Sequence, residues 1–460
     1  MSPKYQLSKY LVLTELLDAE HTSDPSRLLY STRSGRTIKL KEHVYQSLRQ
    51  ADFSAISDDE LSQLIELEVI VLANEDEFAE VLERNIAAVS DSKHLNVTIQ
   101  PTANCQLGCG YCGQVHKKKN VDEATSNKIV DRIIYNLQKN QFESINVQWY
   151  GGEPLMAHKE ILSMSDRLME YCRERGIGYG SDMITNGLSF KPNIFLKLLE
   201  RKITHYQITL DGLGETHDVM RITKEGARTF DIIFRNILDV TSLPEFQENG
   251  CGISVRVNVT RSSAKYVEKL IDRLVQYDLH KKGVTIDFAA VHDWGDNNAS
   301  QIGLSRDEFA AIEIEWLLYA MQKGFAFENF LPGKRTSPCM AVQKDAEVYD
   351  ADGNIYPCYE FPYTPAFASD DYKVGHVDTI AETQGSMAVT RNFNADVATD
   401  MVPCGKCNLF PVCGGGCPKQ WYEKKTACPP FKINIGERVL MNYLLKADGH
   451  LREFLQNTAQ

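Results

Sequence analysis

The stretch NCQLGCGYCG, residues 104–113, places three cysteines at the spacing C-x3-C-x2-C. A disulfide framework or a closed structural zinc site draws on an even set of ligands. Three thiolates on one loop suit three corners of an iron–sulfur cube, because thiolate is the soft ligand such clusters take. The fourth iron is then left without a protein ligand. A zinc ion completed by His116 is the alternative reading of the same residues.

The rest of the chain narrows the context. Its 460 residues are enough for two or three domains of about 100–200 residues each. With a net charge of −12 there is no basic excess to neutralise phosphates, which argues against nucleic-acid binding. The one basic run, HKKKN at 116–120, reads as a solvated loop. The opening MSPKYQLSKYLVLTELLDAEH has no signal-peptide pattern, and no apolar run approaches the roughly 18 residues of a membrane span. A cytoplasmic location away from membranes is expected. The twelve cysteines are therefore expected to be ligands, catalytic groups or core residues, not disulfides.

Four segments differ in texture. Residues 1–93 carry a hairpin pattern, RLLYSTRSGRTIKL, around a Ser-Gly turn, and then helical patterns at 41–50, 57–67 and 75–89. They read either as a winged-helix-like peptide-recognition module or as a cap on the next domain. From 94 to 325, strands at 95–100, 145–150, 181–185, 206–210, 253–259 and 284–290 alternate with helical patterns at 122–139, 158–175, 191–201, 227–240 and 263–278, followed by 306–323. Six β-α units predict an α/β fold, a partial (β/α)6 TIM-like barrel whose chemistry collects at the C-terminal strand ends. Residues 326–430 are rich in Cys, Pro and Gly with little periodicity, so metal sites are expected to hold them together. Residues 431–460 are expected to end the chain in a helix.

Two motifs sit where strands end. WYGGEPL (149–155) follows the second strand. Its paired glycines allow close backbone approach, and Glu153 can accept from an amine, although a lone G-G-E is also an ordinary turn. TLDGLGETHDVMR (209–221) follows the fourth strand, with Asp211 able to bind ribose hydroxyls or to serve a turn. Downstream, Cys339, Gly353 and Cys358 give C-x13-G-x4-C; Cys404, Cys407, Cys413 and Cys417 give C-x2-C-x5-C-x3-C, and Cys428 closes the set. Taken alone, Cys404 to Cys417 also admit a zinc ribbon. Cys172 and Cys251 are expected in the core.

C-x3-C-x2-C after strand one, with Tyr111 before the third cysteine and GGEP after strand two, resembles the radical S-adenosylmethionine superfamily. The seven downstream cysteines are similar to the SPASM domain. The resemblance spans about 94–430. It implies S-adenosyl-L-methionine and three [4Fe-4S] clusters. One cluster would sit on Cys105, Cys109 and Cys112. One auxiliary cluster would sit on Cys404, Cys407, Cys413 and Cys428, and another on Cys339, Cys358 and Cys417, whose fourth ligand stays open. Tyr111, Gly151, Gly152 and Glu153 would contact the cofactor, together with Thr185, Asn186, Asp211, Arg256 and Asn258. The family's chemistry is reductive cleavage of the sulfonium to a 5′-deoxyadenosyl radical, which abstracts hydrogen from substrate.

By the same resemblance the chain is expected to mature a ribosomally synthesised precursor peptide. A leader sequence would bind residues 1–93, and a flavodoxin- or ferredoxin-type protein would donate electrons. An intramolecular crosslink is the expected product, carbon–carbon ahead of thioether. Glu360 and His217 are candidate acid–base groups, with a structural role the favoured alternative for each. Sulfatase-maturation type oxidation is the alternative, weakened because Tyr359 stands where those members usually carry an aspartate. Peptide epimerisation and a non-catalytic iron–sulfur electron carrier complete the alternatives.

Overall fold

Six strands lie side by side in chain order and all parallel: His94–Ile99, Ser144–Trp149, Gly178–Thr185, Ile203–Thr209, Gly252–Val259 and Val284–Ala290. Ser144–Trp149 and Gly252–Val259 alternate throughout with period two. Ile145, Val147 and Trp149 pack under the helices with Ile129, Ile133 and Leu168. Asn146 and Gln148 point to the other face, where both donate to Asp182, at 2.7 and 3.0 Å. Parallel strands buried on both faces would be apolar throughout. Here the inner face is polar and half-buried, as suits a partial barrel that leaves its interior to a ligand. The computed structural model describes residues 4–17, 20, 23–54, 56–294, 297–327, 330–343, 345–379 and 389–447.

The helices fall close to the sequence expectation. Glu123–Lys139 starts where the Asp122 side chain accepts from Thr125 N. His158–Arg175 stops at Gly176, whose φ of 67° ends it in the left-handed region. Pro192–Leu199, Phe230–Thr241 and Val267–Gln276 follow, and Arg306–Gln322 opens on a Ser305/Glu308 capping box. A short helix, Gly214–Met220, was not expected; it lies inside the motif after the fourth strand.

The cysteine-rich segment departs from expectation. Glu347–Tyr349 pairs in parallel with His94–Ile99, in the register Glu347↔Val97 and Tyr349↔Ile99, and so extends the barrel sheet at its first strand. Asn354–Tyr356 and Gly375–His376 continue it antiparallel. The segment also has an apolar core: Val348, Tyr356, Phe361 and Phe367 are buried together, and Phe393, Val397 and Phe410 pack against Tyr10 and Val81. Metal alone therefore does not organise it. Strands of two or three residues are too short to show a period.

The N-terminal hairpin forms as read, Ser26–Ser31 with Arg36–Lys41, and Leu11–Leu13 adds a third strand. Helices Glu42–Arg49, Asp58–Glu66 and Glu77–Ser90 follow. Val12, Leu28 and Tyr30 share a core with Leu409 and Val412, and with Ile435 and Val439 of the last helix, Ile435–Ala447. The hairpin thus rests on the cysteine-rich segment. The remainder of the expected C-terminal helix, 448–460, lies outside the described residues. Among those described, no helix is long and apolar enough to cross a membrane.

One ion pair locks the cysteine-rich segment to the barrel. Arg132, on the helix after the first barrel strand, grips Glu347 bidentately at 3.1 and 2.8 Å. Asn136 Nδ2 and the Tyr349 hydroxyl donate to the same carboxylate at 3.0 and 2.6 Å. Both charges are almost fully buried. Removing one partner strands the other, at a cost of about 3–5 kcal/mol. Arg132→Met should therefore lower the thermal midpoint sharply in a calorimetric scan. R36M, which breaks an exposed pair with Glu66, should leave it nearly unchanged.

Candidate active site

The three-cysteine loop is built against the turn that ends the second strand. Gly151 and Gly152 take φ of 80° and 53°. A Cβ on Gly152 would lie 2.4 Å from Asn104 O and 2.9 Å from Thr102 O, and one on Gly151 would overlap Gln100. Only glycine lets the two backbones come this close. Glu153 N then donates to Asn104 O at 2.8 Å, and Gly152 N donates to Gln114 Oε1 at 3.0 Å. Cys105, Cys109 and Cys112 are carried on that braced loop.

The Glu153 carboxylate is completely buried. It accepts from Thr185 Oγ1 at 2.6 Å, Asn186 N at 2.7 Å and Leu155 N at 3.0 Å. Burial outweighs these donors and holds its pKa above the ordinary carboxylate range. Glu153 thereby joins the second and third strand ends. Asn186 in turn donates from Nδ2 to Cys105 Sγ at 3.8 Å, and Leu107 N donates to the same sulfur at 3.4 Å.

A second knot crosses the barrel mouth. The Tyr111 hydroxyl donates to Asp211 Oδ2 at 2.5 Å and accepts from Arg221 Nη1 at 2.8 Å and Asn258 Nδ2 at 3.1 Å. Asp211 Oδ1 accepts from Asn258 N at 3.0 Å. Arg256 is paired with Asp287. Arg221 carried no sequence signal, being a lone arginine at the end of a short helix. Its guanidinium is buried, its charge reaches Cys109 and Asp211, and its Nε has no hydrogen-bond partner among the described residues. An orphaned buried cation of this kind fits an anionic group in the cavity it borders.

That cavity, of about 320 Å³, is lined by Cys105, Cys109, Cys112, Tyr111, Gly152, Thr185, Asn186, Arg221, Arg256 and Asn258, and also by Gln207, Tyr150, Tyr359 and Glu360. Gly151, Glu153 and Asp211 stand behind its wall and act through Gln100, Thr185, Asn186 and Tyr111. His217 does not reach it. The ring is completely buried, with Nδ1 accepting from Asp211 N at 3.2 Å and Nε2 facing Thr229 Oγ1 at 3.1 Å. Burial, with Arg221 nearby, pushes its pKa down to about 2. It is a neutral brace for the Asp211 turn, not an acid–base group. Glu360, by contrast, faces the cavity with no side-chain hydrogen bond or ion pair among the described residues. Burial pushes its carboxyl up to about 7 against the pull of Lys419 and Arg256.

All twelve cysteines are free. Cys172 and Cys251 lie in the barrel core, as expected. Cys404, Cys407, Cys413 and Cys428 ring a second cavity of about 350 Å³ with Phe410 and Trp421. Cys339, Cys358 and Cys417 are near enough for Cys358 to feel the charge of the other two. Among the described residues no three His, Cys, Asp or Glu side chains close on a single metal ion. Thiols spread around cavities suit a multi-iron cube better than one zinc at about 2.3 Å from each sulfur. His116 lines the first cavity 3.8 Å from Cys112 Sγ, with its pKa pushed down to about 4 by burial.

Residues 99–243 match the radical SAM superfamily. That segment is a radical SAM domain, the mark of an enzyme, and it implies S-adenosylmethionine and a [4Fe-4S] cluster. The chain is 22% identical over 343 residues to the cysteine-type anaerobic sulfatase-maturating enzyme of Clostridium novyi, covering 71% of this chain and 88% of that one. It is 21% identical over 314 residues to the radical SAM cyclopropyl synthase TigE of Paramaledivibacter caminithermalis, covering 61% and 64%. The solved structure of native anSMEcpe with bound AdoMet shares the fold, with a TM-score of 0.54 at 18% identity, over 78% of this chain and 99% of that one.

Gly152→Ala should push the cysteine loop off the turn. Iron bound by anaerobically reconstituted protein should fall by about one cube's complement of four. Gly176→Ala is the control: it imposes the same left-handed strain with nothing within 4 Å of the new Cβ, and it should keep its iron.

Proposed function

We propose that this enzyme matures a ribosomally synthesised peptide, removing hydrogen from it and closing an intramolecular crosslink, carbon–carbon ahead of thioether. The observation that carries the reading is Glu360. It is a carboxyl on the wall of the three-cysteine cavity with no side-chain partner among the described residues, and its charge is felt by Cys112, Cys358 and Cys417. A peptide held there lies between two cysteine sets. The relatives named as a sulfatase-maturating enzyme and a cyclopropyl synthase support action on peptide and, in the second, carbon–carbon bond formation.

In this reading Cys105, Cys109 and Cys112 hold the first cluster. Cys404, Cys407, Cys413 and Cys428 hold one auxiliary cluster, and Cys339, Cys358 and Cys417 the other. Tyr111, Gly152, Thr185, Asn186, Arg221, Arg256 and Asn258 line the S-adenosylmethionine site, with Gly151, Glu153 and Asp211 bracing it. Bound together, these groups supply a 5′-deoxyadenosyl radical for hydrogen abstraction and an acceptor for the electron that a crosslink releases. The chain's own part is to place the peptide and take a proton. A crosslink removes one hydrogen as an atom and another as a proton and an electron. Glu360 Oε is positioned for that proton, with a pKa suited to a general base near neutrality.

Residues 1–93 bind the leader. Arg36–Lys41 is an edge strand of its sheet among the described residues, the kind of edge to which a peptide strand adds. Sulfatase-type oxidation is the second reading, favoured by the match to the Clostridium novyi enzyme and disfavoured by Tyr359.

Mass spectrometry of a precursor peptide after reaction should show loss of a hydrogen pair and a crosslinked fragment ion. An unchanged mass would mean epimerisation and would end the crosslink reading. Glu360→Gln should slow crosslinking by about 10²–10³-fold while cleavage of S-adenosylmethionine continues. Iron content should approach about twelve per chain, the sum of three cubes.

A further inference from the structure

One cation is buried where the barrel meets the cysteine-rich segment. Lys419 lies two residues after Cys417, on the short helix Pro418–Tyr422. It is the only buried lysine among the described residues. Its ammonium stands over two aromatic rings, 4.9 Å from the centre of Trp294 and 4.7 Å from that of Phe367. The two rings belong to different places. Trp294 lines the cavity of the three-cysteine loop. Phe367 is buried with Cys358 in the apolar core against which Cys339 packs. Lys419 therefore sits between the substrate cavity and the thiols of Cys339, Cys358 and Cys417.

Its counter-charge is shared. Glu423 Oε1 lies 2.8 Å from the ammonium, out of line for a hydrogen bond, and Lys425 reaches the same carboxylate at 3.5 Å. Two lysines on one glutamate leave a positive charge over. Lys425 is exposed, so water and salt screen it; Lys419 is not screened in this way. Burying an ammonium costs stability, and an apolar side chain of similar length would fill the space between two rings at less cost. What a lysine adds there is charge. Burial pushes the Cys417 thiol up, and the Gln420 N–H and the Lys419 charge pull it back. Other cations near the auxiliary thiols are placed differently. Arg335 is exposed, and its charge reaches Cys339 and Cys413 alike, one from each set. Lys432 is exposed beside Cys428.

We propose that Lys419 is a positioning residue for the electron step: its buried ammonium raises the reduction potential of an iron–sulfur site on Cys339, Cys358 and Cys417, which makes that site the acceptor for the electron released when the crosslink closes. The inference rests on reading those three cysteines as a cluster site and on the crosslinking reaction proposed above. Reduction adds a negative charge, and a cation nearby stabilises it. The ligand set works in the same direction, because three thiolates bring one negative charge fewer than four. The balance is that of the crosslink: one hydrogen leaves as an atom to the 5′-deoxyadenosyl radical, another leaves as a proton to Glu360, and its electron goes to this site.

The test is a redox titration followed by electron paramagnetic resonance. It uses the reconstituted full chain carrying Cys105→Ala, Cys109→Ala and Cys112→Ala, so that only the two auxiliary sites are filled. Lys419→Met keeps an apolar stem between the rings. It should shift the reduction equilibrium of one site about tenfold toward the oxidised form, ~59 mV to lower potential, and leave the other in place. Cys358→Ala should abolish the signal of the site that moves. Lys419→Arg keeps the charge and should hold both potentials, which a role in packing alone does not predict. Lys425→Met, at the exposed partner of Glu423, should move neither. Unshifted potentials in Lys419→Met, with about eight irons bound per chain, would overturn the proposal, as would an equal shift of both sites. So would a shift in Lys419→Arg as large as that in Lys419→Met. Iron well below about eight per chain before Lys419 is changed would end the cluster reading and the proposal together. The predicted shift in a chain that leaves precursor peptide uncrosslinked would count against the maturase reading and leave the effect of Lys419 on the potential standing.

Discussion

The site depends on one close approach of backbone to backbone. The Gly151–Gly152 turn at the end of the second strand touches the base of the cysteine loop after the first, and Glu153 N–H closes the contact on Asn104 O at 2.8 Å. The same residue's carboxylate gathers Thr185 and the Asn186 amide from the third strand end. Three strand ends are thereby tied through one side chain. Three donors meet the buried carboxylate and offset part of the cost of burying it. With that tie made, the thiols converge and Asn186 can reach the sulfur of Cys105. Without it the loop would be a mobile connector, and its cysteines would have no fixed spacing to offer a cluster.

The polar inner face of the barrel and the buried Arg132–Glu347 pair follow from the same requirement. A closed barrel filled with aliphatic side chains has no room for a ligand. Here Asn146, Gln148, Asp182, Arg256 and Asn258 face inward, so apolar packing is confined to the outer layer. The open sheet edge is covered by Glu347–Tyr349, which brings Cys358, Tyr359 and Glu360 to the mouth of the first strand. Gln100 Nε2 donates to Tyr359 O at 2.6 Å, and the Tyr150 and Tyr359 rings meet edge to face at 5.4 Å. The cavity wall is thus shared by both halves of the chain. The ion pair that docks them also sets where Glu360 stands relative to Cys112.

The barrel was legible because its signals are local. Alternation placed all six strands and helical periodicity their helices, and the glycine pair and cysteine spacing stood in plain sight. What was illegible depends on partners distant in sequence. Nothing about Arg221 distinguishes it from a surface arginine until Tyr111 and Asp211, 100 residues apart, are joined through the Tyr111 hydroxyl. His217 stood as a candidate acid–base group beside a structural reading; its burial against Thr229, a tertiary fact, decides for the structural one. The strands at 347–356 are too short to carry a period and form because an open edge is waiting. Glu153 was recognised as important, but its partners turned out to be Thr185 and Asn186, already on the candidate list for a separate reason.

The most direct test of the central claim is transfer of label. A precursor peptide deuterated at the carbons of its core residues, incubated anaerobically with reduced enzyme and S-adenosylmethionine, should yield 5′-deoxyadenosine carrying one deuterium, in proportion to the peptide that loses mass. Unlabelled 5′-deoxyadenosine beside fully converted peptide would contradict direct hydrogen abstraction in the cavity between Cys112 and Glu360.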